Sequence, residues 1–482
     1  MSDQSLLLFQ LGPVQSFIAQ AETIGDLAVG SAILSEVTAA AIKSTNDWQG
    51  RLVFPSPVGN EALQGIPNRF LMYVPKGEGE AIAKVCEDAV REFLTSLATE
   101  AYSELNRKKP DKVNNPIAFL AQVNQFLQIT WAILENPTDN MGKNYKAIGK
   151  LMAARRNTRE FDQWQEEAYG QKKDVLSGKE AALCDGLGAM NLIKRFKAEV
   201  EAERFEIPEA LLKESYLAVI AMDGDKMGAT LSNFKSEPEH RAFSENLGEF
   251  ANSVSKDLPE KESVLIYAGG DDVLAVVKAT DAIGVAKKLQ NRFKKKVGNT
   301  ASAGIAMGHS SVPLQDLVYA AHKAESQAKQ AYGRDALALA IYKRSGEILE
   351  WGCKWDSPAL EVYDELSELS EEHNAGTISI GRFPYKLAAL LQPYELEKTP
   401  KDKVIDEVMR EIVMAEYDHA VEQTKDMRKN GEDRLSRDKV KAYLEECCNP
   451  KSEDGDAKKP GNFLNLFMAE TFINRPRDGE DK

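Results

Sequence analysis

Cysteine, long apolar runs and net positive charge are all scarce in this sequence. The five cysteines are odd in number and form no CxxC pair, which excludes a zinc site of the CxxC…CxxC kind and suits a reducing cytoplasm. No apolar run approaches the roughly 18 residues that a membrane-spanning helix needs. The N-terminus carries Asp3 and no basic segment, so it does not resemble a secretory signal. These absences predict a cytoplasmic protein without structural zinc.

The balance of charge is acidic, with 61 lysines and arginines against 75 aspartates and glutamates and a net charge of −14. A protein that binds the phosphate backbone of a nucleic-acid duplex is normally basic in at least one domain. If nucleic acid matters here, we expect partner subunits or a small local patch to hold it. The 43% of hydrophobic residues is ordinary for a globular chain, and 482 residues correspond to about three domains.

The clearest pattern lies between residues 215 and 345. Tyr216–Met222 is an unbroken apolar run of seven residues, which predicts a strand buried on both faces. Ser263–Val277 contains two apolar runs around GGDD and predicts a β-hairpin. Helix, strand, helix and strand follow at Ala282–Lys296, Ala301–Met307, Pro313–Tyr332 and Ala336–Tyr342. With a helical region after the first strand, the order β-α-β-β-α-β-α-β predicts a ferredoxin-like palm domain.

The rest of the chain divides into three further regions. Residues 1–161 loosely repeat the same order of strands and helices, which predicts another copy of the palm. Residues 162–214 have a looser pattern and are interpreted as a connector module. Residues 346–482 are mostly helical with charged faces and predict a helical bundle. The expected fold class is α+β, with two ferredoxin-like, nucleotidyl cyclase-like palm domains, a small connector and a C-terminal helical bundle.

Acidic residues follow two of the strands predicted for the palm at 215–345. Asp223 and Asp225 flank Gly224 directly after the first strand, and Asp271 and Asp272 lie at the tip of the hairpin. In a ferredoxin-like sheet the first strand lies beside the hairpin, so Asp223 and Asp271 are expected to be close together. Clustered carboxylates raise one another's pKa unless a cation lies between them, and hard oxygen ligands suit Mg²⁺ or Mn²⁺. Two such ions would serve phosphoryl or nucleotidyl transfer. The alternative is that GGDD is only a hairpin turn, because Gly and Asp are common turn residues.

Several residues are candidates for binding a nucleotide on this palm. Lys329 and Arg334 flank a glycine at the end of the last long helix, where they would reach a triphosphate; the alternative for Lys329 is a surface pair with Glu325 at i,i+4 spacing. Ser302 lies on the preceding strand, where its hydroxyl would line a base pocket or simply fill a position of the sheet. The basic run Arg292–Lys296 could touch RNA or a partner but is interpreted as a solvated helix end. Glycine permits positive φ angles and a close approach to a nucleotide, which makes candidates of Gly224, Gly269 and Gly270.

An ordered set of segments resembles a known family. The segments DGDKMG, YAGGDD, ASAGIAMGHSSVPL and AESQAK…GR, with GPVQSFIAQA and DLAVGSAILS near the N-terminus, are similar to the large polymerase/cyclase-like subunit of type III CRISPR effector complexes. The form is closest to the Cmr type, and the resemblance covers most of the chain.

The resemblance implies both an activity and a set of site residues. It implies that target RNA, captured by a guide complex, switches on the GGDD palm, which turns ATP into cyclic oligoadenylates. CRISPR RNA and target RNA would be bound mainly through the other subunits. Asp223 and Asp271 would be ligands of two Mg²⁺ or Mn²⁺ ions, with Asp272 supporting them and the carbonyl of Gly224 nearby.

The sequence departs from the family pattern in three places. It opens directly on the first palm and none of its five histidines is followed by Asp, so we expect the His-Asp nuclease site of many members to be absent or on another chain. The connector keeps only Cys184 of the zinc cysteines that the family often places between the palms, so we expect packing alone to hold that module. The first palm has Asn68 and Arg69 where the second has carboxylates, so we expect no metals there, although the first palm could still bind a nucleotide.

We therefore expect an RNA-activated, metal-dependent nucleotidyltransferase with one ATP on the GGDD palm and a second substrate between the palms. One alternative is the same fold joining AMP to another acceptor, such as S-adenosylmethionine. Another is a catalytically silent architectural subunit, against which the intact Asp223, Asp271 and Asp272 argue. The last is a stand-alone diguanylate-type cyclase, against which the extra palm and the helical bundle argue.

Overall fold

The computed structural model describes six segments of the chain. These are residues 3–56, 66–110, 115–158, 172–396, 405–448 and 460–475. The beginning of the predicted connector, residues 162–171, lies outside them.

The N-terminal domain is a palm built on a four-stranded antiparallel sheet with the strand order β2-β3-β1-β4. Its strands are β1 Gln4–Gly12, β2 Leu52–Phe54, β3 Arg69–Pro75 and β4 Gln128–Leu134. Its helices are α1 Gln15–Ala19, α2 Ile24–Lys43, α3 Trp48–Arg51, α4 Gly79–Lys108, α5 Pro116–Phe126 and α6 Met141–Asn157. The predicted order of strands is confirmed, whereas α5 had no counterpart in the prediction.

The described part of the connector contains α7 Ala189–Val200 and α8 Glu209–Leu212. The buried carboxylate of Asp174 organises it, accepting hydrogen bonds from the amides of Leu176 and Ser177 at 2.8 Å, from the amide of Gly188 and from the side chain of Asn191. Burial alone would raise the pKa of Asp174, but these hydrogen bonds outweigh it and lower the pKa. The expectation that packing alone holds the connector is therefore wrong, because a polar hub holds it as well.

A buried lysine fastens the connector to the first palm. The Nζ atom of Lys194 on α7 donates hydrogen bonds to the carbonyls of Phe17 and Gln20, the latter at 2.7 Å, and lies 4.0 Å from the ring centroid of Phe17. Burial lowers the pKa of Lys194 to about 7, although the charges of Asp26 and Asp174 act in the opposite direction. The connector thus satisfies carbonyl groups at the end of α1 that the helix itself leaves unpaired.

The second palm contains a six-stranded sheet with the order β10-β9-β8-β5-β7-β6. Its strands are β5 Tyr216–Gly224, β6 Ser263–Gly269, β7 Asp272–Lys278, β8 Ala301–His309, β9 Ala336–Tyr342 and β10 Ile348–Lys354. Its helices are α9 Met227–Asn233, α10 Glu237–Ser253, α11 Ala282–Val297 and α12 Leu314–Gln330. The strands β6-β7-β5-β8 repeat the order β2-β3-β1-β4 of the first sheet, each strand matching the one at the same place in the sequence. This shared order confirms the predicted duplication of the palm.

The C-terminal region begins later than predicted. Residues 348–354 were assigned to the helical bundle, but they form β10, an antiparallel edge strand of the second palm. Leu349 and Trp351 are buried while Ile348 and Glu350 are exposed, which is the alternation of a strand covered on one face. The bundle itself contains α13 Pro358–Asn374, α14 Phe383–Leu391, α15 Glu407–Gln423, α16 Arg437–Cys448 and α17 Gly461–Asn474, with a short hairpin of β11 Arg428–Lys429 and β12 Glu432–Asp433.

Both faces of the second sheet are covered, which explains the continuous apolar run of β5. Ala218, Ile220 and Met222 pack in a core with α10 and α11, and the alternate residues of β5 pack with α12 and with helices of the first palm. Among these helices, α2 is long and apolar enough by composition to cross a membrane. However, 72% of its most apolar window is buried inside the structure, as expected of a core helix.

Candidate active site

The ends of two neighbouring strands bring the predicted acids together. β5 ends at Asp223-Gly224 beside β7, which begins at Asp272. The turn between β6 and β7 consists of Gly270 and Asp271, and Gly270 has a φ of 75°, a conformation that glycine adopts without strain. A Cβ atom added at Gly224 would lie 3.0 Å from the Cβ atom of Asp271. The end of β5 and the hairpin turn are therefore in contact.

The three acids share one partly buried environment. Burial, followed by the charge of Asp223, raises the pKa of Asp271 to about 6. Burial, followed by a hydrogen bond to Asp223 and by its charge, raises the pKa of Asp272 well above its ordinary value. Burial and the nearby carboxylates also raise the pKa of Tyr267 on β6. The cluster thus resists full ionisation unless positive charge is brought to it.

Helix α12 supplies a positive charge through Lys329. The ammonium group pairs with the carboxylate of Asp223 and lies 2.7 Å from Oε1 of Glu325. The side chains of Lys329 and Glu325 are only 18% and 13% exposed, so they do not form a surface pair. Burial would lower the pKa of Lys329, but the charges of Asp223 and Glu325 outweigh it and raise the pKa. The lysine is therefore held as an ammonium ion at the acids.

A glycine on the neighbouring strand allows α12 to come this close. A Cβ atom added at Gly304 of β8 would lie 2.0 Å from the backbone nitrogen of Glu325 and 2.2 Å from the carbonyl oxygen of Ala321. The helix backbone therefore lies directly on the strand, and this places Glu325 and Lys329 over the end of β5. From the sequence, Glu325 is expected only as the partner of Lys329 in a surface pair.

Ser302 belongs to a buried layer behind the acids. It is fully buried, and its Oγ atom donates a hydrogen bond to Oδ1 of Asp225 at 2.8 Å. The hydroxyl of Thr300 and the amide of Asp335 donate to Oδ2 of Asp225 at 2.8 and 2.9 Å. These bonds tie the end of β5 to the turn after α12. The role of Ser302 in a base pocket gains no support, because its hydroxyl is engaged by Asp225; the alternative of a filled sheet position fits better.

Arg334, the other predicted phosphate-binding residue, lies in a tight turn. Gly333, Arg334 and Asp335 have φ angles of 71°, 64° and 45°, and Nζ of Lys354 donates to the carbonyls of Gly333 and Arg334 at 2.7 and 2.8 Å. These hydrogen bonds hold the backbone of the turn in place. Phosphate binding by Arg334 remains a prediction, as does contact of Gly269 and Gly270 with a nucleotide.

The acids are not pre-arranged as a closed metal cage. Within the described segments, no group of three or more His, Cys, Asp or Glu side chains is placed to hold a metal ion. The chemistry of the donors nevertheless fits a divalent cation, because Asp223, Asp271 and Asp272 offer the carboxylate oxygens that Mg²⁺ and Mn²⁺ prefer. Burial and like charge raise the pKa values of Asp271 and Asp272, and a bound cation would act in the opposite direction.

A cavity of about 210 Å³ lies between the two palms near this site. Its lining combines Arg69, Tyr145 and Arg156 of the first palm with His240 of the second. The charge of Arg69 offsets part of the rise in the pKa of Asp271. His240 is fully buried, neither ring nitrogen has a hydrogen-bond partner among the described residues, and burial lowers its pKa to about 4. From the sequence, Arg69 is expected only as a replacement for an acid; the packing of the two palms is what brings its charge within range of Asp271.

Two family models match the chain, and both fall on the palms. Residues 216–338 match the second palm domain of Cas10/Cmr2, and residues 6–99 match the N-terminal region of the CRISPR-associated protein Cmr2. These matches confirm the resemblance found in the sequence: over both palms the chain is similar to the large subunit of the Cmr type.

Curated relatives match over part of their length. The CRISPR system Cmr subunit Cmr2 of Pyrococcus furiosus is 28% identical over 281 residues, which cover 49% of this chain and 32% of that protein. The single-strand-specific deoxyribonuclease Cas10/Csm1 (subtype III-A) of Streptococcus thermophilus is 26% identical over 195 residues, covering 38% of this chain and 25% of that protein. The chain thus matches about a third or less of the length of these relatives.

Solved structures share the fold over nearly the whole chain. In the type III-B Cmr-β complex bound to cognate target RNA, one chain matches with a TM-score of 0.67 and 9% identity, over 98% of this chain and 83% of that chain. In a Csm1–Csm4 cassette in complex with cA4, one chain matches with a TM-score of 0.54 and 12% identity, over 98% and 70% of the two chains. At these identities the matches establish the architecture of two palms and a helical C-terminus.

Proposed function

We propose that this chain is an RNA-activated nucleotidyltransferase of a type III CRISPR antiviral complex, which makes cyclic oligoadenylates from ATP. The observation that carries the proposal is the convergence of Asp223, Asp271 and Asp272 on a palm where Lys329 already brings positive charge. A palm with a purely architectural role gains nothing from a cluster of acids in which burial and like charge raise the pKa values of Asp271 and Asp272.

The acids would hold two divalent ions, either Mg²⁺ or Mn²⁺. When bound, such ions supply the positive charge that lowers the pKa of an attacking 3′-hydroxyl and neutralises a leaving pyrophosphate. Asp223 and Asp271 would be the principal ligands, with Asp272 beside them and the carbonyl of Gly224 nearby. The same residues must orient the α-phosphate of ATP for in-line attack.

Lys329 would change partner when a nucleotide binds. Its ammonium group is held between Asp223 and Glu325, within reach of any phosphate that enters the acid cluster. With its charge no longer needed by Asp223, Lys329 would be available to pair with the triphosphate of a nucleotide on the palm. Glu325 keeps it in place, because the two residues are one helical turn apart on α12.

The second substrate would lie between the palms. Arg69 borders both the inter-palm cavity and the neighbourhood of Asp271, and Arg156 adds a second cation to the lining. Such a cavity could receive the phosphates or the base of a nucleotide whose 3′-hydroxyl points to the GGDD turn. We further propose that partner subunits of the complex contribute the binding of guide and target RNA, in the cytoplasm.

The experiment that tests this proposal identifies the products made from ATP. The chain, assembled with its partner subunits and bound to target RNA, is incubated with ATP and Mg²⁺ with and without S-adenosylmethionine, and the products are analysed by mass spectrometry. We expect cyclic oligoadenylates in both reactions. A product that forms only with S-adenosylmethionine would replace the proposal by AMP conjugation, and the absence of any product would favour a silent subunit.

A further inference from the structure

Helix α6 of the first palm is basic along its whole length. Its 17 residues include five lysines and arginines and no acid, although the chain as a whole has a net charge of −14. The five side chains are all exposed. Lys143, Lys146 and Lys150 lie on one side of the helix, and we call these three lysines the α6 basic face.

Among the described residues, none of the three lysines of the α6 basic face forms a salt bridge with an acid. Helix α11 provides the contrast, because it is also basic and lacks acids but three of its cations are paired. Lys287 pairs with Asp364, Arg292 with Asp257 and Lys296 with Glu249. The α6 basic face is therefore the stronger positive surface of the two.

The lysines of α6 are placed against the preference of the helix itself. Lys143 lies in the first turn, where the helix dipole favours negative charge. Lys146 and Lys150 are four residues apart, so their like charges repel each other on one side of the helix. Residues that destabilise the helix in which they lie are expected at functional surfaces. This arrangement indicates that the lysines are there for a ligand.

The shape of the face suits a single strand. Seventeen helical residues extend about 25 Å, and cations three or four positions apart are about 5–6 Å from one another. Lysines spaced along the exposed side of a helix provide the positive track along which sites for single-stranded nucleic acid hold the backbone.

The first turn of α6 also touches the second palm. The amides of Met141 and Gly142 donate hydrogen bonds to the carbonyls of Lys235 and Phe234 at 3.1 and 2.7 Å, in the turn between α9 and α10. A Cβ atom added at Gly142 would lie 2.3 Å from the carbonyl oxygen of Ser232, so this contact leaves no free space. A ligand on α6 therefore binds to an element in direct contact with the palm that carries the acids.

We infer that the α6 basic face binds a single-stranded segment of RNA. This inference rests on the proposed function in naming RNA as the strand, and it assigns the contact to the chain itself instead of to partner subunits alone. Its chemistry is the recognition of successive phosphates by the three lysines.

The test measures RNA binding by the full chain without any ATP. A fluorescein-labelled 20-nucleotide RNA of mixed sequence is titrated with the wild type and with the variant Lys143→Gln/Lys146→Gln/Lys150→Gln, over a range of KCl concentrations. Glutamine is a good helix former, so the fold should be retained, which circular dichroism and thermal unfolding would verify. The matched control is Lys288→Gln/Lys294→Gln/Lys295→Gln, which removes the same charge from α11.

We expect the α6 variant to bind about tenfold more weakly at low salt, with a slope of log affinity against log salt that is smaller by about 2, since each contact with a single strand contributes roughly 0.7. The α11 control should bind like the wild type. The inference would be overturned if the wild type does not bind the RNA, if the two variants lose affinity equally, or if poly-glutamate of equal charge competes as well as unlabelled RNA. Because ATP conversion is measured separately, loss of RNA binding with intact product formation, or the reverse, distinguishes this inference from the proposed activity.

Discussion

Replacing Gly304 by alanine should damage the candidate site without changing any residue of it. The added methyl group would lie 2.0 Å from the backbone nitrogen of Glu325, whereas ordinary van der Waals contacts begin at 3.4 Å. β8 cannot retreat, because β5 and β9 hold it on both sides. Helix α12 must therefore move outward by about 1.4 Å at this point, and Lys329 moves with it.

The size of the effect follows from overpacking. Forcing a methyl group into a packed core typically costs about 1–3 kcal/mol. We expect the upper end for Gly304→Ala, about 3 kcal/mol in the free energy of unfolding, because the atoms in contact belong to backbone. A displacement of about 1 Å of a positioning group is also expected to reduce turnover by about 100-fold.

The assay combines urea denaturation with ATP turnover of the RNA-bound complex. The control is Gly284→Ala on α11, where an added Cβ atom has no neighbour within 4 Å. That exchange should stabilise the chain by about 0.4–1 kcal/mol and leave turnover unchanged. A Gly304→Ala protein with wild-type stability and turnover would refute the idea that close packing of α12 positions Lys329.

Three further predictions concern buried charges. Asp174→Ala should lower the free energy of unfolding by about 2–4 kcal/mol, because it leaves several buried donors unpaired. Since the pKa of Asp174 is lowered in the folded chain, its contribution to stability should be present above the pKa of the unfolded chain and be lost as the pH falls through the folded pKa. Urea titrations at pH 7 and at acidic pH would check both expectations. Because the pKa of Lys194 is lowered to about 7, only the unfolded chain binds a proton at this residue between about pH 7 and 10. The wild type should therefore become more stable as the pH rises through that range. Thermal unfolding should show that Lys194→Met removes this trend. Asp271→Ala with Asp272→Ala should leave the melting temperature of the metal-free chain unchanged or raise it, because it relieves like-charge repulsion; a clear fall would contradict the crowding of charge inferred for this turn.

The strands and the acid cluster were predictable because the signals for them are local. Tyr216–Met222 is apolar without interruption, and apolar runs bound the GGDD turn on both sides. The start and the end of each of these elements can therefore be predicted from the sequence. Antiparallel pairing of β5 with β7 then brings Asp223 beside Asp272. Edge strand β10 was missed because its alternation is short and adjoins a helical region.

The remaining contacts of the site depend on packing between distant elements. Ser302 and Asp225 lie at the predicted strand ends, but the buried hydrogen bond between their side chains depends on how β8 pairs with β5. The position of Lys329 depends on the missing side chain at Gly304. Arg69 reaches the neighbourhood of Asp271 only because the two palms pack together. No pattern within a single element reports such contacts.

The most direct test of the proposed activity compares the wild type with the Asp271→Ala/Asp272→Ala variant, each assembled with its partner subunits and bound to target RNA. Labelled ATP is supplied with Mg²⁺, and conversion is followed after both complexes are shown to contain the same subunits and the same amount of RNA. We predict that the wild-type complex converts ATP and that the double variant assembles normally but converts none. Conversion by the double variant at the wild-type rate would show that the GGDD palm is not the active site.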